Sequence, residues 1–104
     1  MILSMTIVEK VADYYNVTPA QILGKRRSRH IAIPRMVCAF LMRNRNKMSV
    51  SRIGKQLNRD HSTISHATAS IIKRRRKDRE LSMQIDLLTE ELFGIKEKAM
   101  DWAA

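Results

Sequence analysis

The stretch Ser49-Val50-Ser51-Arg52-Ile53-Gly54-Lys55-Gln56-Leu57-Asn58-Arg59-Asp60-His61-Ser62-Thr63-Ile64-Ser65-His66 decides the fold. It reads as two short helices joined by a tight turn. Ser49 is placed to cap the first helix by accepting a hydrogen bond from a free N–H of its first turn. Val50, Ile53 and Leu57 recur at helical spacing and make a narrow apolar face. Leu57-Asn58-Arg59 interrupts that pattern, and Asn tolerates turn conformations. Asp60 restarts a helix as a side-chain cap, its charge suited to the positive end of the helix dipole. Beyond it, Ile64, Ala67, Ile71 and Ile72 fall on one side, and Ser62, His66, Ala69 and Lys73 on the other. The outward face is small and polar at its start and basic further on. A helix inserted in the DNA major groove needs short donors and acceptors at its N-terminal end and little bulk to block approach.

Charge is distributed to match. Residues 25–76 hold fifteen Lys or Arg against one acid, Asp60, a balance of +14. The remainder holds five bases and nine acids, a balance of −4, and the two give the net +10 of the chain. A basic middle in a mildly acidic remainder is the footprint of a polyanion-binding surface rather than a generic solvated one.

Upstream, Thr6 to Tyr15 reads as a helix with Ile7, Val8, Val11, Ala12 and Tyr15 available to a core, and Asn16 ends it. Tyr14 and Tyr15 suit a core or half-buried place better than base stacking. Thr18-Pro19-Ala20-Gln21 is a capping box with Pro at the first helical position. That short helix runs to about Leu23, where Gly24 can close it in the left-handed conformation. Lys25-Arg26-Arg27-Ser28-Arg29-His30 has no apolar period and is expected as an exposed loop. Next to a helix-turn-helix, DNA contact suits it better than a nuclear-localisation signal. Arg on such a loop can enter a narrow minor groove, where negative potential is focused. Ile31 to about Arg45 forms the longest central helix, with Pro34 in its first turn and Ile33, Val37, Phe40 and Leu41 facing inward. Arg35, Arg43 and Arg45 lie off that face. Lys73-Arg74-Arg75-Arg76-Lys77 continues the helix; one or two of its bases suit phosphate contact and the rest are expected in solvent. Leu81, Ile85, Leu88 and Leu92 make a last amphipathic helix that closes the core, and Gly94 ends it. Residues 94–104 form a tail containing Trp102, either a frayed helix or docked on the body.

Much chemistry is excluded. One hundred and four residues make a single domain, with a core at about residues 6–93 and little room for a catalytic cleft. No apolar run approaches the roughly 20 residues of a membrane span. Residues 1–5 are too short for a secretory signal. Cys38 is alone, so no internal disulfide forms, and it reads as core filler in a reducing, cytoplasmic and nucleoid-associated setting. There is no phosphate loop and hence no nucleotide cofactor. The three His and one Cys lack metal-ligand spacing, so no metal is expected. Asp60-His61-Ser62 is not a catalytic set, because adjacent helical residues point in different directions. The chain is not expected to be an enzyme.

Ile53-Gly54 followed by Arg59-Asp60-His61-Ser62-Thr63-Ile64-Ser65-His66-Ala67, with Lys25–Arg29 and Pro34-Arg35 upstream, resembles the signature of the DNA-binding domain that ends the bacterial replication initiator DnaA. The resemblance covers roughly Ile7 to Leu92. The helical periods and the absence of alternating strand patterns predict an all-α domain of five to seven helices, and the resemblance implies a helix-turn-helix of the kind shared by the Trp repressor and the DnaA C-terminal domain. It also implies roles. Arg27 stands where the family enters the minor groove; from their own chemistry at the start of the second helix, Asp60, His61, Ser62 and His66 are expected to read base edges in the major groove. Arg29, Arg35 and Arg43 stand where the family touches the phosphate backbone, and Lys25, Thr63 and Lys73 are expected beside them at phosphates. The chain departs from the family in three places. Asn58 stands alone where two small residues, commonly Gly-Gly, precede the Arg-Asp-His. Ser51 replaces a Pro that commonly touches a base. Ser62 and Ser65 replace a Thr and a bulkier apolar residue, removing methyl groups suited to a thymine methyl.

The expected function is sequence-specific binding of double-stranded DNA at DnaA-box-like sites, as a monomer, without an ATPase, in replication initiation or its regulation. The alternatives are a small stand-alone transcription regulator reading another operator, and a nucleic-acid or RNA binder that uses charge alone. Met1 and the Trp-containing tail favour a complete bacterial or phage gene product over an excised domain. Such a product is expected to mark or mask sites, competing with a full-length initiator or regulating a nearby promoter.

Overall fold

The computed structural model describes residues 2–25 and 28–94. Among these are six helices and no strand: α1 Ser4–Tyr15, α2 Pro19–Leu23, α3 Arg29–Asn44, α4 Val50–Leu57, α5 His61–Lys77 and α6 Arg79–Phe93. The all-α helix-turn-helix reading is therefore correct. The expectations for Arg27 and for the tail from Ile95 to Ala104, including Trp102, fall outside the described residues.

Local chemistry sets the helix boundaries. Asn16 ends α1 in the left-handed conformation at φ 58°, which Asn adopts more readily than most residues. The Thr18–Gln21 capping box forms in both directions, with Gln21 N–H donating to Thr18 Oγ1 at 3.1 Å and Thr18 N–H to Gln21 Oε1 at 2.9 Å. Gly24 is not left-handed as expected but extended, at φ −77° and ψ 174°. The chain leaves α2 straight, because the carbonyls of that short helix are taken by an arginine from α3 instead of by a closing turn. Asp78 caps α6, accepting from Leu81 N–H at 3.0 Å, and Gly94 ends it at φ 70°.

α3 begins two residues earlier than its apolar pattern suggests, at Arg29 rather than Ile31. Arg29 and His30 are therefore helical, and Pro34 lies in the second turn rather than the first. Pro34 removes the N–H that would serve the carbonyl of His30, a cost limited by that residue's exposure at the helix start.

α3 is the central element, packed against α1, α2, α4 and α5, while α6 closes over α1 and α5. Val37 to Met42 are all buried in consecutive positions, a pattern expected of a helix covered on several sides. Ile33, expected to face inward, is only half-buried. Cys38 sits fully buried among these residues, with Ile7, Val11, Ile22, Ile53, Leu57, Ile64, Ile71, Ile85 and Leu88 in the same core. Burial pushes its thiol well above the ordinary cysteine value. Tyr15 is half-buried and donates to Gln84 Oε1 at 2.8 Å, joining α1 to α6.

The α3–α4 connection does more than link. Asn46 is buried and pairs reciprocally with the backbone of Ile2, accepting from its N–H at 3.2 Å and donating to its carbonyl at 2.7 Å. This ties the start of the chain to the centre. Met48, from the same connection, is also in the core.

Two side chains depart from the expected faces of α5. Ile72 is 43% exposed, because Ile71 already occupies the inward direction and its neighbour points about 100° away. Arg75, expected in solvent with the rest of its basic run, is 3% exposed. Its Nη2 donates to Asp86 Oδ1 and its guanidinium lies 5.4 Å from the centre of the Phe40 ring. Burial, the largest influence, lowers its pKa to about 10 against the opposing pull of Asp86. The spacing of the run could not reveal this, since five adjacent bases point all round a helix and the inward one needs an acid from another element.

Candidate DNA-reading face

α4 and α5 form the helix-turn-helix. Ser49 Oγ accepts from Arg52 N–H at 3.2 Å and caps α4 as expected. Asn58 ends α4 in the left-handed conformation, φ 57° and ψ 47°, and alone links it to Arg59. The carbonyl of Gly54 accepts from Arg59 N–H at 2.8 Å. This brings the turn back onto α4 so closely that a Cβ at Gly54 would stand 2.5 Å from the carbonyl oxygen of Arg59. Glycine is required here by close approach of two backbones, not by a special φ.

Asp60 occupies the N-cap position of α5 in extended conformation, but its carboxylate closes no cap hydrogen bond. It accepts instead from the Ser62 hydroxyl, and the His61 ring nitrogen Nδ1 lies 3.6 Å from its other oxygen. The side-chain cap expected of Asp60 is thus replaced by a local cluster of the three residues expected to read bases. The Ser62 hydrogen bond is the first cause of a carboxyl pKa below the ordinary aspartate value, with the charge of His61 and the adjacent amides acting the same way. All three residues are exposed, as are Thr63 and His66 one turn on.

Arg35, Arg59, Thr63 and His66 line one shallow cleft between α3 and α5, with Ala32, Met36 and Ser70. Arg35 does not simply project outward. Its Nε donates to Ile22 O at 2.8 Å, and its Nη2 to Gln21 O at 3.0 Å and Gly24 O at 3.1 Å, so it closes the end of α2. Burial, then the charge of Arg59, lower its pKa from the ordinary guanidinium value. Arg43 is exposed and lines a different depression with Phe40, Asn44, Lys47, Thr68 and Ile72, while its Nη1 donates to Met48 O at 2.9 Å. Lys25 and Arg29 are both exposed beside the α2–α3 connection. Lys73 is exposed in a third depression with Arg74, Lys77 and Arg79. It stands about 18 Å along the axis of α5 from His61 at the helical rise.

The structure thus gathers Arg35, Thr63 and His66 in one cleft with Arg59, which also borders Asp60 and His61. Lys73 lies further along the His66 side of α5, and Arg43 lies on α3 in a separate depression with Thr68 and Ile72. Sequence reasoning assigned no role to Arg59, which donates to the carbonyls of Asn58 and Gly24. The only hint was a base immediately before the acid that opens α5. Among the described residues there is no group of three or more His, Cys, Asp or Glu able to hold a metal. No described helix is long and apolar enough to cross a membrane.

Comparison with known families decides the lineage. The family model described as the bacterial dnaA protein helix-turn-helix matches residues 4–71, more than half of the chain. The chain belongs to this family. It is 32% identical over 94 residues to the chromosomal replication initiator protein DnaA of Deinococcus deserti, covering 90% of this chain and 21% of that protein. With DnaA of Lactiplantibacillus plantarum it shares 40% identity over 87 residues, 83% of this chain and 19% of the relative. With DnaA of Deinococcus radiodurans it shares 36% over 92 residues, 88% and 20%. The chain spans about a fifth of the length of these DnaA relatives. Membership in this helix-turn-helix family assigns DNA binding as the broad function.

Proposed function

We propose that this domain binds double-stranded DNA sequence-specifically, at sites resembling the DnaA box. In this reading the first turn of α5 enters the major groove and Arg27, between α2 and α3 in sequence, enters the minor groove. The observation that best supports it is the exposed Asp60–His61–Ser62 cluster at the start of α5. Such a cluster meets base edges with preset polarity. The Ser62 hydroxyl donates to Asp60, so Ser62 Oγ keeps its lone pairs for an amino group of cytosine or adenine, and Asp60 Oδ1 accepts in the same way. His61 and His66 add donors or acceptors on either side. Arg27 is assigned by resemblance alone.

Lys25, Arg29, Arg35, Arg43, Thr63 and Lys73 serve the phosphate backbone, which positions the protein without reading sequence. Arg35 acts there partly by holding the end of α2. The domain works as a monomer that targets sites, beside or in competition with a full-length initiator. Selection of binding sites from a randomised duplex pool tests the proposal. Recovery of a box-like motif supports it, and recovery of no motif contradicts it.

A further inference from the structure

Two arginines from different parts of the chain converge on one carbonyl oxygen. Arg35, on α3, donates from Nη2 to Gly24 O at 3.1 Å. Arg59, in the helix-turn-helix turn, donates to the same oxygen from its own Nη2 and holds Asn58 O from Nη1 at 2.8 Å. Arg59 makes no ion pair among the described residues. Placing two guanidinium groups side by side is unfavourable in itself, and the charge of Arg59 is one reason Arg35 holds its proton less tightly. Helix C-terminal carbonyls carry partial negative charge and offset that repulsion.

The location of the shared oxygen matters. Gly24 is the last residue before the basic segment that opens with Lys25, and it lies 35 residues from Arg59 in sequence. Gly24 is also confined on its other side, where a Cβ would meet Ala20 O at 2.9 Å. Arg59 in turn directly precedes Asp60, the first residue of the base-facing cluster. One side chain therefore spans from the start of the recognition helix to the root of the basic segment.

We propose that Arg59 is a positioning residue that sets Gly24 and Lys25 in register with the recognition helix. The proposal rests on the function proposed above for its effect on DNA binding, but its effect on Gly24 and Lys25 is independent of that function. Lys25 is placed for its phosphate because Arg59 holds the carbonyl just before it. Arg35 closes α2, and Arg59 joins that closed end to the turn. An arginine suits both tasks, since its planar fork donates in two directions at once.

The test uses Arg59→Met, which keeps the aliphatic stem and removes the donors, and Arg59→Lys, which keeps the charge. In free protein, nitrogen relaxation should show the Lys25 backbone becoming more mobile in Arg59→Met, with α1 and α6 unchanged. On DNA, Lys25→Ala should weaken binding several-fold in the parent background and have almost no further effect in the Arg59→Met background. Arg59→Lys should recover only part of the Lys25 effect. Additive losses from Lys25→Ala and Arg59→Met would overturn the proposal, since they would make Arg59 an independent phosphate-binding group. Unchanged backbone mobility at Lys25 would overturn it without DNA, whatever becomes of the functional reading. If Arg59→Met melts the whole domain, the same cycle in the Arg59→Lys background decides, with additivity again the contrary result.

Discussion

Gly54 faces the carbonyl oxygen of Arg59 so closely that a Cβ would lie 2.5 Å from it. Two effects compete in Gly54→Ala. Alanine gains about 1 kcal/mol of helix propensity over glycine. Forcing two backbones apart costs typically about 1–3 kcal/mol, and here no flexible side chain can yield. The expected outcome is net destabilisation in urea unfolding and a loss of DNA affinity larger than the stability loss, because the turn aims α5.

The buried pair between Arg75 and Asp86 makes a second prediction. Asp86→Ala leaves a guanidinium enclosed beside Phe40 without its carboxylate, and breaking one side of a buried pair costs about 3–5 kcal/mol. Asp86 retains 19% side-chain exposure, so the lower end applies. Arg75→Met should cost less, because it removes the buried charge and leaves only a partly solvated acid. Equal losses in chemical denaturation would mean that the cation is not enclosed.

Asp60 supplies the pH dependence. Its folded pKa is depressed, chiefly by the Ser62 hydroxyl. A depressed carboxyl contributes stability above its unfolded value and loses it as pH falls through the folded value. The cluster should therefore stay intact down through the ordinary aspartate range and come apart only below it. Carboxyl-carbon NMR should give Asp60 a midpoint below the ordinary value. Ser62→Ala should raise that midpoint, and an unmoved one would show that the hydroxyl is not the cause.

Binding should also weaken steeply with salt. With roughly five of Lys25, Arg27, Arg29, Arg35, Arg43 and Lys73 at phosphates or in grooves, the slope of log affinity against log salt is about −4 to −5. Arg35 already donates to three carbonyls, so Arg35→Ala should cost stability as well as affinity. A slope near zero would place the basic surface away from DNA.

What could be read in advance follows from the range of each interaction. Ser49, Asn58, the Thr18–Gln21 box and Gly94 act within four residues, so their roles stand in the order of the residues. The apolar faces of α1, α4 and α6 were legible because each is buried on one side. The all-round burial of Val37–Met42, the pairing of Asn46 with Ile2 and the inward turn of Arg75 depend on elements distant in the chain. No local period carries them. The exposure of Asp60, His61 and Ser62 was legible from the polar start of α5. The departure of Asp60 from capping was not, because Ser62 competes for its carboxylate at a spacing that also suits a helix start. Arg59 went unassigned because its acceptor, Gly24, lies just past the end of α2, distant in the chain.

The division between base reading and backbone holding is the centre of this account. Binding of the parent, Ser62→Ala and Arg43→Ala proteins to one library of single-base variants of the selected site tests it most directly. Ser62→Ala should change preference at one or two base pairs, by about 1–3 kcal/mol for each base-edge hydrogen bond removed, and leave the others as they were. Arg43→Ala should weaken every sequence by the same factor. Identical profiles for the two variants would contradict the assignment of α5 as the reading helix.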